Sequence, residues 1–237
     1  MPIAIEERLR AVPLFNELDR RSISQIAGVA RPKRCQRGDL VVRQGEPGES
    51  VFIIESGFLK VQMAAPDGAP TMLGIMGPNE IFGELALFDG QPRSATVTAH
   101  TRSDLVVIDR SAFLRLTEST PKLAIAVMKV LARRLRRLSE RSDELTGMSL
   151  ATRLAKQLLL LADHNGHTTG GGRIRLGIKL SQQELGELVG ATRESVNKHF
   201  GFWRREGVIA VEGGFVVISN APLLRTVADL PENRPNE

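Results

Sequence analysis

From Ala124 to Leu145 one seam runs through the chain: Ala124, Met128, Leu131, Leu135, Leu138, Ser142 and Leu145 follow one another at alternating spacings of four and three. That is a heptad stripe about three heptads long. A stripe so narrow suits a helix that meets another helix better than one that covers a globular core. Ser119-Thr120-Pro121 opens the segment, with Pro121 where a first helical turn tolerates it. The spacing predicts a long helix over 121–147 that pairs with its copy in a homodimer, with Met128, Leu131, Leu135, Leu138 and Leu145 at the interface. A helix lying on its own domain is the alternative. The flanking Arg133, Arg134, Arg136, Arg137 and Arg141 read as a solvated face. Such a helix divides the chain in two.

On its N-terminal side, Ile5, Leu9, Val12 and Phe15 recur at helical spacing, which predicts a helix within residues 1–20. From about 33 to 110 the pattern changes to short β-branched runs: Leu40–Val42, Val51–Ile54, Leu59–Val61, Ala95–Thr98 and Leu105–Ile108. Turn residues separate them, at Gly45-Glu46-Pro47-Gly48, Asp67-Gly68, Gly77-Pro78-Asn79 and Asp89-Gly90. Strands at this even spacing predict a small barrel or sandwich.

On its C-terminal side a second helical pattern runs to Ala162 and is closed by Asp163-His164-Asn165-Gly166. Gly170-Gly171-Gly172 then reads as a flexible link to a short strand around Ile174–Leu176. Ser181 with Glu184 three residues on forms a capping box at the head of a helix that carries Leu185 and Leu188 inward. Gly190 supplies a turn, and Thr192 caps a second helix reaching about Glu206, with Val196, Phe200 and Trp203 as its buried stripe. This is a helix–turn–helix pattern. Arg193, Glu194, Asn197 and Lys198 fall between the apolar positions and face outward; they include the side-chain types that read base edges in the major groove of duplex DNA. Val208–Val211 and Phe215–Ile218, joined by Glu212-Gly213-Gly214, make a hairpin and hence a winged form. A helical hairpin with a merely polar face is the plainer alternative.

Charge agrees with this division. The net charge is +5, and residues 1–120 carry 14 Lys+Arg against 15 Asp+Glu while residues 121–147 carry 7 against 3 and residues 148–237 carry 11 against 9. The basic excess lies in the second half, so a polyanionic partner belongs there. Glu6, Glu7, Arg8, Arg10 and Glu17 interrupt any apolar leader, so no signal peptide is expected. The longest aliphatic run, Leu158–Leu161, is too short for a bilayer span, and a cytoplasmic protein without membrane contact is expected. The single cysteine, Cys35, excludes an internal disulfide and reads as a packed thiol. His164 and His167 lack further ligands within reach and read as exposed loop residues, so no metal is expected. No Ser-His-Asp order, paired catalytic carboxylates or phosphate-binding Walker loop occurs, and no enzyme activity is expected.

One stretch remains, Phe82-Gly83-Glu84-Leu85-Ala86-Leu87-Phe88-Asp89-Gly90-Gln91-Pro92-Arg93-Ser94-Ala95-Thr96-Val97. It sets an acid and a base at the two ends of one connection across the mouth of the barrel. A surface salt bridge across a turn would use them, and so would a cradle for a small anion. Gly83 allows close backbone approach, Glu84 suits a sugar hydroxyl, Arg93 suits a phosphate, and Ser94 adds a hydroxyl and a backbone donor. Together they describe a site for a nucleotide phosphodiester.

Gly83-Glu84-Leu85-Ala86-Leu87 with Pro92-Arg93-Ser94-Ala95-Thr96 resembles the phosphate-binding cassette of cyclic-nucleotide-binding domains, including that of protein kinase regulatory subunits. Ala191-Thr192-Arg193-Glu194-Ser195-Val196-Asn197-Lys198 resembles the recognition helix of the bacterial CRP/FNR transcription regulators, and the likeness covers about residues 8–220. The resemblance implies an α+β chain: a jelly-roll-like β-barrel cyclic-nucleotide-binding domain over 1–120, a dimerisation helix over 121–147, a winged helix–turn–helix DNA-binding domain over 148–220 and a tail over 221–237. It implies that Gly83 and Glu84 meet the ribose hydroxyl beside Leu85, that Arg93 and Ser94 hold the cyclic phosphate, and that Arg193, Glu194 and Lys198 read a half-site of a palindromic operator. It implies a transcription regulator gated by a cyclic nucleotide that bridges cassette and dimer helix, cyclic AMP first, with RNA polymerase as a further partner. Members that respond to cyclic AMP place a Thr followed by Ser or Asn against the adenine, whereas this chain has Leu138 and Ser139. Ser139 keeps one contact, and cyclic GMP, a cyclic dinucleotide such as cyclic di-GMP or a pocket that senses nothing stay open. The iron–sulfur option of the family lacks its cysteines. A nucleotide-binding interaction module whose C-terminal domain docks protein is the reading from another class.

Overall fold

The computed structural model describes residues 2–10, 12–64 and 70–229, with the side chains of all of these except 2–4, 70 and 140–146. The Asp67-Gly68 turn, the side chains of Arg141, Ser142 and Leu145, and the tail from residue 230 lie outside the described residues. The chain divides into two compact units, Met1–Arg137 and Leu138–Glu237.

The first unit begins with α1 (Pro2–Arg10), a 3-10 turn at Pro13–Phe15 and α2 (Arg20–Val29). The single helix expected within residues 1–20 is therefore interrupted. Pro13 cannot donate to a continuing helix, and Asp19 starts a new one by accepting from the Ser22 N–H at 2.8 Å. The strands are β1 (Arg31–Cys35), β2 (Leu40–Val42), β3 (Ser50–Ser56), β4 (Leu59–Ala64), β5 (Pro70–Met76), β6 (Ile81–Phe82), β7 (Thr96–Ala99) and β8 (Ser103–Asp109). Two helices interleave with and follow them, α3 (Leu85–Asp89) and α4 (Arg110–Ser119), before α5 (Pro121–Gly147). The strands form two antiparallel sheets, β1-β8-β3-β6 and β2-β7-β4-β5.

Alternation along β3 explains how these layers are held. Phe52 and Ile54 point between the sheets and share a core with Cys35, Val97 and Leu105. Val51 and Ile53 point the other way, into a second core with Phe15, Ile23, Phe113, Leu123 and Val127 from the helices. A central strand buried on both faces reads as a continuous apolar run, as Val51–Ile54 does. Burial also raises the pKa of the Cys35 thiol, which suits a packing role.

On α5, Leu123 and Val127 are fully buried against this second core, with Val130 and Leu131 packed beside them. The predicted seam faces elsewhere for the most part: Met128 is 58% exposed, Leu135 66% and Leu138 64%. The helix thus carries two apolar stripes, one lying on its own domain and one open, and Leu131 belongs to the covered one.

The second unit holds α6 (Leu150–Asn165), β9 (Gly166–Thr168), β10 (Ile174–Leu176), α7 (Gln182–Val189), α8 (Arg193–Arg205), β11 (Ile209–Glu212), β12 (Phe215–Ile218) and α9 (Ala221–Val227). One antiparallel sheet orders its strands β11-β12-β10-β9. Here α6 runs on to Asn165, past the expected end at Ala162. The triple glycine is not a loose link. It turns the β9–β10 hairpin, with Gly171 and Gly172 at φ 74° and 73° and the Thr169 N–H bonded to the Arg173 carbonyl at 2.7 Å. No helix among the described residues is long and apolar enough to cross a membrane.

Candidate functional site

In the first unit the stretch from Phe82 to Val97 is built around α3 rather than an open loop. Phe82 pairs with Phe52 across β6 and β3, and their rings stack at 4.8 Å. Gly83 then turns with φ 85°, and a Cβ there would fall 2.5 Å from the Arg93 guanidinium. Glycine is required by that approach as well as by the backbone. Arg93 is only 6% exposed. Its Nη1 donates to the Gly83 carbonyl at 2.8 Å and its Nη2 to the Ser50 carbonyl at 2.7 Å. Its main chain is pinned as well, with the Arg93 N–H on the Glu46 carbonyl and the Gly45 N–H on the Arg93 carbonyl. Burial lowers its pKa, while Glu49, Glu84 and Glu46 act in the opposite sense, and a guanidinium keeps its charge in any case.

The salt bridge weighed between Glu84 and Arg93 does not form. Glu84, 1% exposed, accepts instead from Nη1 of Arg134 at 2.7 Å. Arg134 also donates Nη2 to the Ile81 carbonyl. This corrects the solvated-face reading for Arg134, although Arg133, Arg136 and Arg137 are exposed. Sequence reasoning missed it, and a signal was present: Val127, Leu131 and Arg134 continue the buried stripe at spacings of four and three. The other Glu84 oxygen, Oε2, is buried and has no hydrogen-bond partner among the described residues. A buried carboxylate oxygen in that condition calls for a donor.

The structure therefore brings Gly83, Glu84 and Arg93 together and adds Arg134. Ser94 is exposed beside them, and Leu85 stands open at the head of α3. Ser139 lies exposed on α5, within the second unit. The chemistry is that of an acceptor for a hydroxyl group next to a fixed fork of N–H donors, which fits a ligand bearing both a sugar hydroxyl and an anionic phosphate.

In the second unit the local signals set the geometry. The Ser181 hydroxyl accepts from the Glu184 N–H at 3.2 Å while the Glu184 carboxylate accepts from the Ser181 N–H at 2.9 Å, closing the capping box at α7. Gly190 takes φ 65° and ends α7, and Thr192 caps α8 by accepting from the Ser195 N–H. Val196, Phe200 and Trp203 are buried, and Arg193, Glu194, Asn197 and Lys198 are all exposed on the opposite side of α8. Beside the β11–β12 hairpin, the Arg175 guanidinium lies 3.6 Å from the Phe215 ring centroid and Lys179 4.9 Å from it, a basic and aromatic cluster that sequence reading did not single out. His164 and His167 are exposed, and among the described residues no group of three or more His, Cys, Asp or Glu side chains is placed to hold a metal ion.

Comparison with known proteins finds the same two parts. A cyclic nucleotide-binding domain profile matches residues 32–120, and a Crp-like helix-turn-helix domain profile matches residues 152–227. A CRP-like cAMP-activated global transcriptional regulator of Mycobacterium tuberculosis is 38% identical over 220 residues, which is 93% of this chain and 98% of that one. The cAMP-activated global transcriptional regulator CRP of Salmonella typhimurium is 30% identical over 182 residues, covering 75% of this chain and 84% of the relative. Among solved structures, a CRP-family transcriptional regulator from Thermus thermophilus superposes with a TM-score of 0.70 at 28% identity, over 83% of this chain and 96% of its own.

Proposed function

Since the chain belongs to the CRP/FNR family of transcription regulators, we propose that it is a homodimer gated by cyclic AMP bound at Glu84 and Arg93. It is a DNA-binding regulator with a cyclic nucleotide-binding domain, and the finer reading rests above all on one observation. Glu84 presents a buried, unpartnered oxygen beside an Arg93 guanidinium already fixed by two carbonyls. The ribose hydroxyl would donate to Glu84 Oε2, and the cyclic phosphate would take the remaining N–H groups of Arg93, with Gly83, Leu85 and Ser94 around them. That two relatives of this length are described as cAMP-activated supports cyclic AMP over cyclic GMP and cyclic di-GMP.

Residues 1–120 would sense the ligand, 121–147 pair the subunits and 148–220 hold the operator. A ligand that favours one arrangement of the paired α5 helices would set two copies of α8 for successive major grooves, ~34 Å apart. Such a switch needs a preference on the order of 5 kcal/mol between states. Calorimetric titration of the full chain with cyclic AMP, cyclic GMP and cyclic di-GMP tests the effector directly. Saturable binding of cyclic AMP in the micromolar range or tighter is expected. The exposed Leu138, standing beside Ser139 where other members offer two polar groups, favours a second reading: a constitutive DNA-binding regulator whose pocket senses no nucleotide. Silence of all three nucleotides, with operator binding intact, would select it.

Two further outcomes follow. Arg193→Ala or Lys198→Ala is expected to cost about 1–3 kcal/mol on the cognate operator and to relax preference at one base pair. Competition gel shifts on specific and random duplexes separate the cases, because an equal loss on both would make that residue a phosphate contact. Leu135→Glu with Leu138→Glu would place like charges across the paired seam, and the sedimenting mass should fall from that of a dimer to that of a monomer. An unchanged mass would move the interface off this stripe. The protein-docking alternative predicts weak salt dependence, whereas operator binding should fall steeply as salt rises.

A further inference from the structure

One arginine of the second unit holds two carbonyl groups that belong to different parts of it. Arg153, in the first turn of α6, donates Nη1 to the Met148 carbonyl at 2.9 Å and Nε to the Val189 carbonyl at 3.0 Å. Met148 lies in the short connection between α5, which ends at Gly147, and the Ser149 cap of α6. Val189 is the last residue of α7 and stands next to the Gly190 turn. The side chain thus reaches across 36 positions of sequence and ties the exit of α5 to the turn of the helix–turn–helix.

The last carbonyls of a helix have no N–H ahead of them and need donors from elsewhere. At the end of α7 the N–H groups of Gly190 and Ala191 both turn back to the Gly186 carbonyl. The Val189 carbonyl is met by Arg153 instead. A guanidinium suits that place, because its charge complements the negative end of the helix dipole. Its rigid fork also serves two acceptors in one fixed geometry.

Between Val189 and α8 the chain has little slack. Gly190 takes φ 65°, and Thr192 caps α8 by accepting from Ser195. Gly186 lies so close to the Ala191 carbonyl that a Cβ there would fall 2.6 Å from its oxygen. What holds Val189 therefore holds the first turns of α8, where Arg193, Glu194 and Asn197 are exposed. The junction after α5 is looser. A Cβ at Gly147 would meet nothing within 4 Å, and the Ser149 hydroxyl is used inside α6 on the Thr152 N–H. Packing of α6 on α7 is non-directional, and Arg153 adds the directed bonds that relate the junction to the turn.

We propose that Arg153 is a positioning residue for operator recognition: it fixes the direction in which α8 is presented from the end of α5, and with it the half-site separation that two copies of α8 can read. This rests on the pairing of α5 given under the proposed function. Each base pair inserted between two half-sites turns one against the other by about 35° around the duplex axis. A recognition helix held in one direction reads one spacing, and a helix free to swing reads several.

Quantitative gel shifts of the full chain test it on three duplexes, each with saturating cyclic AMP present. The first is a palindromic operator that the parent selects from a random pool, the second the same operator with two base pairs inserted at its centre, and the third a duplex with one half-site. The insertion is expected to weaken the parent about tenfold or more and Arg153→Met about threefold or less, with half-site binding unchanged. Methionine keeps an unbranched stem of similar helix propensity, and a melt followed by Trp203 fluorescence confirms the fold. Arg153→Lys keeps the charge but not the fork and should fall between the two. The assignment is overturned if Arg153→Met shows the parent's full loss on the insertion. It is equally overturned if the variant weakens the half-site as much as the palindrome, the signature of a residue that only holds α7 and α8 in place. A parent that binds the half-site as tightly as the palindrome would overturn the pairing of α5, and the spacing role with it.

Discussion

Arg93→Ala is expected to lower cyclic-nucleotide affinity by about 100-fold or more, since it removes charge-assisted hydrogen bonds each worth ~1.5–3 kcal/mol. The same change withdraws the donors that meet the Gly83 and Ser50 carbonyls. Some loss of stability therefore accompanies the loss of binding, and a thermal melt of the free protein is the necessary companion to the titration. Arg93→Lys separates charge from geometry. An ammonium keeps the positive charge but cannot serve two carbonyls and a phosphate with one planar fork, so an intermediate affinity is expected. If Arg93→Ala still bound cyclic AMP as tightly as the parent, the phosphate would sit elsewhere and the assignment of Glu84 would fall with it.

The second large effect is expected in the DNA-binding unit. Phe200 is buried between Val196 and Trp203 on α8, with its ring centroid 6.3 Å from that of Trp203. Phe200→Ala should cost about 3–5 kcal/mol, because burial is lost and the cavity left behind closes only in part. Against a typical domain stability of ~5–15 kcal/mol this is a large fraction. Trp203 is the chain's sole tryptophan, so urea unfolding followed by its fluorescence reports this unit specifically. Operator binding should fall with the folded fraction. A midpoint shift of less than about 1 kcal/mol would mean that α8 is held by something other than its apolar stripe.

Legibility followed the range of the determining interactions. The helix–turn–helix was readable residue by residue because its signals are local: the capping box at Ser181 and Glu184, the left-handed Gly190 and the Thr192 cap each act within a few positions. The β-branched runs gave β2, β3, β4, β7 and β8 for the same reason. Other elements carried no such mark. In β1, Arg-Pro-Lys-Arg-Cys, only Cys35 is buried, and the strand exists because β8 pairs with it. The two-residue β6 is likewise defined by its partner β3. In the cassette, the residue types at Gly83, Glu84 and Arg93 were legible, but their partners were not. The pair expected across the loop was replaced by Glu84 with Arg134, 50 residues apart. A basic run around Arg134 hides the inward turn of that arginine, since composition cannot say which side of a helix a charge occupies.

The pairing of β1 with β8 also bears on how the chain is made. Arg34 and Asp104, bonded across those strands, are 70 residues apart. At ribosomal speeds of ~5–20 residues per second, β1 waits on the order of 10 s for its neighbour to be synthesised. Until then its edge is open, and the three basic side chains in Arg31-Pro-Lys-Arg, with a proline among them, discourage wrong pairing during that wait. The DNA-binding unit emerges last yet depends on short-range caps and turns, so it should fold soonest after its own synthesis. A nascent chain of this protein would spend its vulnerable seconds in the cyclic nucleotide-binding domain, and chaperone dependence should map to residues before Asp109 rather than to the C-terminal helices.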